Sequence, residues 1–299
     1  MNGVRDLLES RHPGLLAAIE TALVEAETLY NAASGQPPSE FLLEHTRRTS
    51  AIAQMIAARE GADALLPVLV ALFHDAGKFH EGEYHQDGVP EEEHAAILAM
   101  KMLADFGLER AAIDTVAEAL RSLYDERRPC RGPARIVQDA DRLDKLGALG
   151  VGAFFTKAAL RGRGMVDGLV QAASRELTYA RAAPRSMFTA TGRQLAQEQG
   201  ARTVTFFAQL LEQLDDWGIA AFECRSVVLD EEFKSRDGAL VRGMEVTVVM
   251  PRACPDCGGK LSLEHAREQG VKCERFIARF RCAACPYTGG TSLCLPVIA

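Results

Sequence analysis

The spacing of apolar residues changes period once, near residue 218, and this change divides what the chain can fold into. Before it the spacing is helical. Leu15, Ile19, Leu23 and Ala26 recur at three- and four-residue intervals after Pro13, and Leu42, His45, Ile52, Met55 and Ile56 form a second stripe behind Pro38-Ser39. The run from Ala62 to Phe73 is apolar nearly all round, as suits a helix buried in a bundle. A loop rich in Gly, His and acidic residues follows from Gly77 to Val89. Pro90 then opens a helix whose Glu91, Glu92 and Glu93 place negative charge at its positive end, and which should close at Gly107. Two more helices are expected from Ala111 to Tyr124 and from Pro133 to Leu146, with further helical stretches up to Trp217. After Gly218 the period is 2. Phe222, Cys224, Ser226 and Val228 alternate, Asp237-Gly238 signals a turn, and Met244, Val246, Val248 and Met250 alternate again. The expectation is a mainly α chain with a helical domain over 1–218 and a small β-rich module over 219–299.

The module carries two C-x-x-C pairs, Cys254-Pro-Asp-Cys257 and Cys282-Ala-Ala-Cys285. Paired tight turns that aim two thiolates each at one point suit tetrahedral zinc, and the doubled pair resembles a zinc ribbon over residues 251–299. Four thiolates leave no open coordination position, so such a zinc would be structural. Cys273 and Cys294 stand nearby and either could replace a named ligand; Cys130 and Cys224 have no assigned role.

Charge sets the ribbon apart. The chain has 34 Lys+Arg against 41 Asp+Glu, a formal −7. Residues 251–299 hold seven Lys/Arg and four Asp/Glu, a formal +3, so residues 1–250 carry −10. An acidic balance argues against a surface that coats a nucleic-acid backbone, while the near-neutral ribbon leaves contact with nucleic acid or a protein partner open. The first residues, MNGVRDLLESRHPG, contain no apolar signal core, and the longest apolar run, Ala64 to Phe73, is about half of a membrane span and includes Pro67. A soluble, cytoplasmic protein is expected.

Six of the seven histidines lie in the helical part. His45 falls on the inward stripe of its helix, and His74 ends the buried helix with Asp75 directly behind it. His94 sits on the helix opened by Pro90. In Asp139-Ala-Asp141-Arg142-Leu-Asp144, Asp139 has Arg135 and Arg142 at helical spacing, the pattern of a solvated charge pair, while Asp141 and Asp144 share the face of Val137; of these two Asp141 is the better inward ligand. Histidines and carboxylates converging from three helices suit a borderline-to-hard divalent metal.

The ordered set His45, His74-Asp75 and Asp141 resembles the H…HD…D pattern of the HD superfamily of metal-dependent phosphohydrolases. Ile136-Val-Gln-Asp-Ala-Asp-Arg-Leu-Asp-Lys-Leu-Gly-Ala, which contains the sequence QDADRLD, and Met187-Phe-Thr-Ala-Thr-Gly-Arg-Gln-Leu-Ala are similar to signature blocks of one bacterial branch. The resemblance covers about residues 38–216 and implies an HD-domain helical bundle. It implies a divalent metal (Mn, Mg, Ni, Co or Fe) held by His45, His74, Asp75 and Asp141. It also implies hydrolysis of a phosphoester or phosphoanhydride bond, often in a nucleotide, with Asp75 both ligand and orienter of the attacking water. Lys78 would stand where some relatives have a phosphate-contacting lysine, and Arg48, one turn after His45, would reach a phosphate oxygen.

Two departures shape the expectation. The stretch Ala76-Gly-Lys-Phe79 lacks the acidic pair of alarmone hydrolases. No histidine lies between Ala95 and Gln138, Ser122-Leu-Tyr124 included, so a mononuclear site is expected, with His94 near the metal or leaving group and His80 or His85 as substitutes. The competing expectation is a ligand-sensing adaptor whose ribbon binds nucleic acid or a protein.

Overall fold

The computed structural model describes all residues except Met1, 85–87, 125–127, 235–239, 270–273 and 296–299. Among them are ten α-helices: α1 Asn2–Arg11, α2 Leu15–Ser34, α3 Phe41–Arg59, α4 Leu65–Phe73, α5 Glu91–Asp105, α6 Arg110–Ser122, α7 Pro133–Asp144, α8 Gly147–Leu160, α9 Met165–Ala182 and α10 Ala190–Asp216. Five strands follow: β1 Phe222–Lys234, β2 Leu240–Pro251, β3 Leu261–Gln269, β4 Glu274–Cys282 and β5 Thr288–Leu295. The mainly α fold with a small C-terminal antiparallel region is as expected. The Asp237-Gly238 turn, His85 and Cys273 lie outside the described residues, as does the Cys294 side chain.

Two compact units divide the chain, residues 1–144 with 187–192, and residues 145–186 with 193–299. The switch from helix to strand near 218 falls inside the second unit, because α8, α9, α10 and the β1–β2 hairpin share one core. Val151, Phe154, Leu169, Ala173, Leu177, Phe207, Leu211, Phe222 and Val249 pack together there.

In the first unit α4 is the central helix, with Val68 to Phe73 all buried. Removing such side chains from water contributes about 1.5–3 kcal/mol each, which favours α4 in the interior despite its short length. The N-terminus of α3 is held by the buried carboxylate of Glu27 on α2, which accepts the amides of Phe41 and Leu42 at 3.0 Å each. Negative charge at that end offsets the helix dipole and satisfies two otherwise unpaired donors.

A segment from far along the chain completes this unit. Asp139, whose neighbours in sequence suggest a solvated position, is fully buried. Its carboxylate accepts the amides of Phe188 and Thr189 at 2.8 Å each and the Thr189 hydroxyl at 2.7 Å. Burial pushes its carboxyl up, and these three bonds pull it back. Arg135 and Arg142, the helical neighbours that suggest a charge pair, lie over the Phe188 ring at 5.6 and 5.5 Å.

In the second unit, β1 and β2 pair antiparallel with Cys224 opposite Val249, and Cys224, Ser226 and Val228 face solvent. On β2, the amides of Thr247 and Val249 are bonded by the hydroxyls of Thr178 and Ser174 on α9, at 2.9 and 2.8 Å. Strands β3, β4 and β5 form a second antiparallel sheet in that order. Phe276, Ala278 and Phe280 are its buried face.

Candidate metal centre

His45 projects from the first turns of α3. Helix α4 ends at Phe73, and the turn that follows, with Ala76 N on Phe73 O at 2.9 Å and Lys78 N on Asp75 O at 3.1 Å, lets His74 and Asp75 reach the same point. Gly77 in that turn passes so close to α5 that a Cβ there would lie 2.0 Å from the Glu91 carbonyl and 2.8 Å from the His94 Cβ. Helix α7 contributes Asp141 and Asp144 on its buried face.

His45, His74 and Asp141 offer ligand atoms that all lie within 4.8 Å of one another. His45 Nε2 is 3.1 Å from His74 Nε2 and 3.3 Å from Asp141 Oδ1. Asp75 stands beside them, its Oδ2 3.7 Å from His45 Nε2 and its Oδ1 3.9 Å from His74 Nε2.

Hydrogen bonds on the outer edges define the two rings. His74 Nδ1 donates to the Ala71 carbonyl at 2.7 Å, and His45 Nδ1 donates to Asp144 Oδ2 at 2.8 Å. With both protons on Nδ1, the two bare Nε2 atoms would face each other among carboxylates, an arrangement that requires a cation between them. Against burial, the hydrogen bonds to Asp141 and Asp144 and the charge of Asp75 push His45 up to about 9, whereas burial lowers His74. Two imidazole nitrogens with two carboxylates are a donor set for a divalent ion, and the residues present fit one.

Asp144, by sequence pattern the lesser inward ligand beside Asp141, is the partner that orients His45. Arg48 Nε and Nη2 grip the Asp144 carboxylate at 2.6 and 3.1 Å. The bidentate geometry fixes the carboxylate as well as pairing its charge. On the other ligand, Asp141 Oδ2 accepts the hydroxyl of half-buried Tyr124 at 2.6 Å, which leaves Oδ1 on the His45 side. Tyr124 has φ of 64°, a left-handed conformation that costs a bulky residue energy and marks a constrained position. Neither role is visible in sequence, because no local pattern connects Tyr124 to α7.

Lys78 Nζ lies 2.9 Å from Asp75 Oδ2. Although burial works the other way, Lys78, His74 and His45 hold the Asp75 carboxyl well below the usual carboxylate range, and Asp75 in turn raises Lys78. His94 stacks on His80 with ring centroids 3.9 Å apart and does not join the three-residue group.

The second metal-capable group is Cys254, Cys257, Cys282 and Cys285. Cys254 and Cys285 sulfurs are 3.4 Å apart, those of Cys257 and Cys282 3.5 Å. A bonded pair would be at about 2.05 Å, whereas sulfurs around one zinc at about 2.3 Å stand about 3.8 Å apart. The Ala284 amide, 3.3 Å from the Cys282 sulfur, is the first cause of a thiol lowered to about 7.

The helical unit has the HD-domain fold. The family described as HD domain matches residues 42–146; the four-cysteine group lies outside that match. The uncharacterized protein YpgQ of Bacillus subtilis is 29% identical over 172 residues, 56% of this chain and 80% of its own length. Among solved structures, a predicted HD superfamily hydrolase from an uncultured Thermotogales bacterium is similar at 27% identity with a TM-score of 0.50, covering 71% of this chain and 98% of that one. The structure of YpgQ in complex with ADP is similar at 24% identity and a TM-score of 0.45, covering 57% and 88%. No helix among the described residues is long and apolar enough to cross a membrane.

Proposed function

We propose that this chain is a metal-dependent phosphohydrolase that cleaves a phosphoester or phosphoanhydride bond in a nucleotide or related small phosphorylated molecule. The observation that carries this reading is the approach of His45 Nε2 to His74 Nε2 at 3.1 Å with Asp141 and Asp75 alongside. His45, His74, Asp75 and Asp141 would hold the ion, and Mn, Mg, Ni, Co and Fe all suit such donors. A bound divalent ion lowers the pKa of water toward neutrality and offsets charge on a phosphoryl group.

The chain's own groups do the rest. Asp75, kept ionised beside Lys78, is the acceptor that orients a water for attack. The Lys78 ammonium, kept charged by Asp75, would meet a phosphate oxygen. Asp144 and Arg48 keep His45 in one tautomer, and Tyr124 keeps one oxygen of Asp141 away from the centre.

The cluster of four cysteines supports a structural zinc ribbon. Arg279 and Arg281 pair with the ribbon's own Glu268 and Glu264, at 3.1 and 3.5 Å, which favours a structural role over the adaptor reading.

The reading is tested by incubating the full chain with Mn²⁺ and a panel of nucleotides and small phosphoesters. Release of phosphate, pyrophosphate or a nucleoside monophosphate is expected, and its loss in the folded double variant His74→Ala, Asp75→Ala. Full activity in that variant would overturn the assignment.

A further inference from the structure

The segment directly after Lys78 builds an aromatic cluster for which the hydrolytic centre has no use. Phe79 stacks face to face on Tyr30 of α2, with ring centroids 4.2 Å apart and planes 11° from parallel. Tyr84 leans on both, 6.3 Å from Tyr30 and 6.1 Å from Phe79. The turn between them is tight. Gly82 N bonds Phe79 O and Glu83 N bonds His80 O, each at 3.0 Å, while Glu81 and Gly82 take left-handed φ of 51° and 79°. Gly82 also lies against the backbone of Leu29, so the turn is fastened to α2.

Two observations separate this cluster from ordinary packing. Tyr84 remains 43% exposed although two aromatic neighbours support it. A buried hydrophobic brace would hide its outermost ring, whereas a surface meant to be covered by a flat ligand presents it. The cluster is also continuous with the charged part of the site: Phe79, which carries the stack, follows directly on Lys78, whose ammonium lies 2.9 Å from Asp75 Oδ2. A ring platform beside a phosphate-reading ammonium has the two chemistries of a nucleotide in the right order, a flat π-surface joined to an anion.

We infer that Tyr84, backed by the Tyr30–Phe79 stack, is the platform on which the base of a nucleotide substrate rests, with its phosphates directed to Lys78. The inference rests on the phosphohydrolase reading for the placement of the phosphates. Stacking on a π-face is tolerant of base identity, so the platform selects for the presence of a base more than for its kind.

The test compares wild type, Tyr84→Ala and Tyr84→Phe on a nucleoside triphosphate and on inorganic tripolyphosphate, which has the charge without the base. Equilibrium binding is measured by calorimetry and turnover by product release. In Tyr84→Ala, about tenfold weaker nucleotide binding and a KM raised to match are expected, with kcat within about twofold, tripolyphosphate binding unchanged and Tyr84→Phe close to wild type. Equal weakening for both ligands, no change for either, or no nucleotide binding by wild type would overturn the platform. If nucleotide binding falls in Tyr84→Ala while wild type hydrolyses nothing, the platform stands and the phosphohydrolase reading falls. If wild type hydrolyses nucleotides and Tyr84→Ala does so with unaltered KM, the reverse holds.

Discussion

Asp144 accepts the Nδ1–H of His45 at 2.8 Å, and so decides which nitrogen of that ring faces the centre. The same carboxylate is held from behind by Arg48, so ring, carboxylate and guanidinium form one relay from α3 to α7 and back. Asp144→Asn keeps the shape and removes the charge. Affinity for Mn²⁺ is expected to fall about 10–100-fold, the usual cost of losing a partner that orients a metal-binding histidine. Titration of Mn²⁺ into the metal-free variant measures this, and wild-type affinity would refute the role of Asp144.

Tyr124→Phe deletes one hydroxyl and nothing else. Asp141 Oδ2 then loses a 2.6 Å donor in a buried site, and the carboxylate is free to rotate. Mn²⁺ binding about tenfold weaker is expected, with the melting temperature lowered by a few degrees. A variant that melts lower yet binds the ion as tightly as wild type would confine Tyr124 to a structural part.

Gly192 admits no side chain. A Cβ there would lie 2.3 Å from Asp139 Oδ2, and that carboxylate cannot retreat because the Phe188 and Thr189 amides hold it. Gly192→Ala should cost about 2 kcal/mol or more, against the few tenths usual for an exposed site. Chemical denaturation of the two proteins side by side gives the difference directly.

Elemental analysis of the purified chain should find one firmly held zinc, retained after a mild chelator has stripped the exchangeable ion. Cys257→Ala should lose that zinc and melt at a lower temperature, because the β3–β5 sheet is small and a metal joining the two cysteine turns at its end would contribute directly to its folding. Mn²⁺ titration of this variant should match wild type. Zinc retained in Cys257→Ala would exclude Cys257 as a ligand.

Much of the centre can be read in the chain, because His45, His74 and Asp141 each lie on the apolar stripe of a helix and a stripe predicts a direction. The residues that steady them cannot be read in this way. Asp139 looks solvated when only its helical neighbours are considered; its partners Phe188 and Thr189 lie about fifty positions away, and burial by a returning segment overrides a local charge pattern. Arg48 is on the face that its spacing from His45 predicts, and the carboxylate it meets there is that of Asp144. Helical spacing gives the side of a helix and not the length at which Asp144 on α7 intercepts the guanidinium. In the β region the alternation at Phe222–Val228 identifies a strand. It carries no sign that α9 covers β2 with Ser174 and Thr178, drawing the hairpin into a unit with three helices.

The clamp of Asp139 on Phe188 and Thr189 has a consequence for the order of events during synthesis. The first compact unit takes residues 187–192 from beyond the whole of 145–186. A nascent chain that has just released α7 from the ribosome contains every histidine and aspartate of the centre, yet the carboxylate two positions before Asp141 has no amides to bind. The clasp on Asp139 can form only once Phe188 and Thr189 have cleared the exit tunnel, so a ribosome stalled within α9 would display the metal-binding side chains on a helix without that clasp.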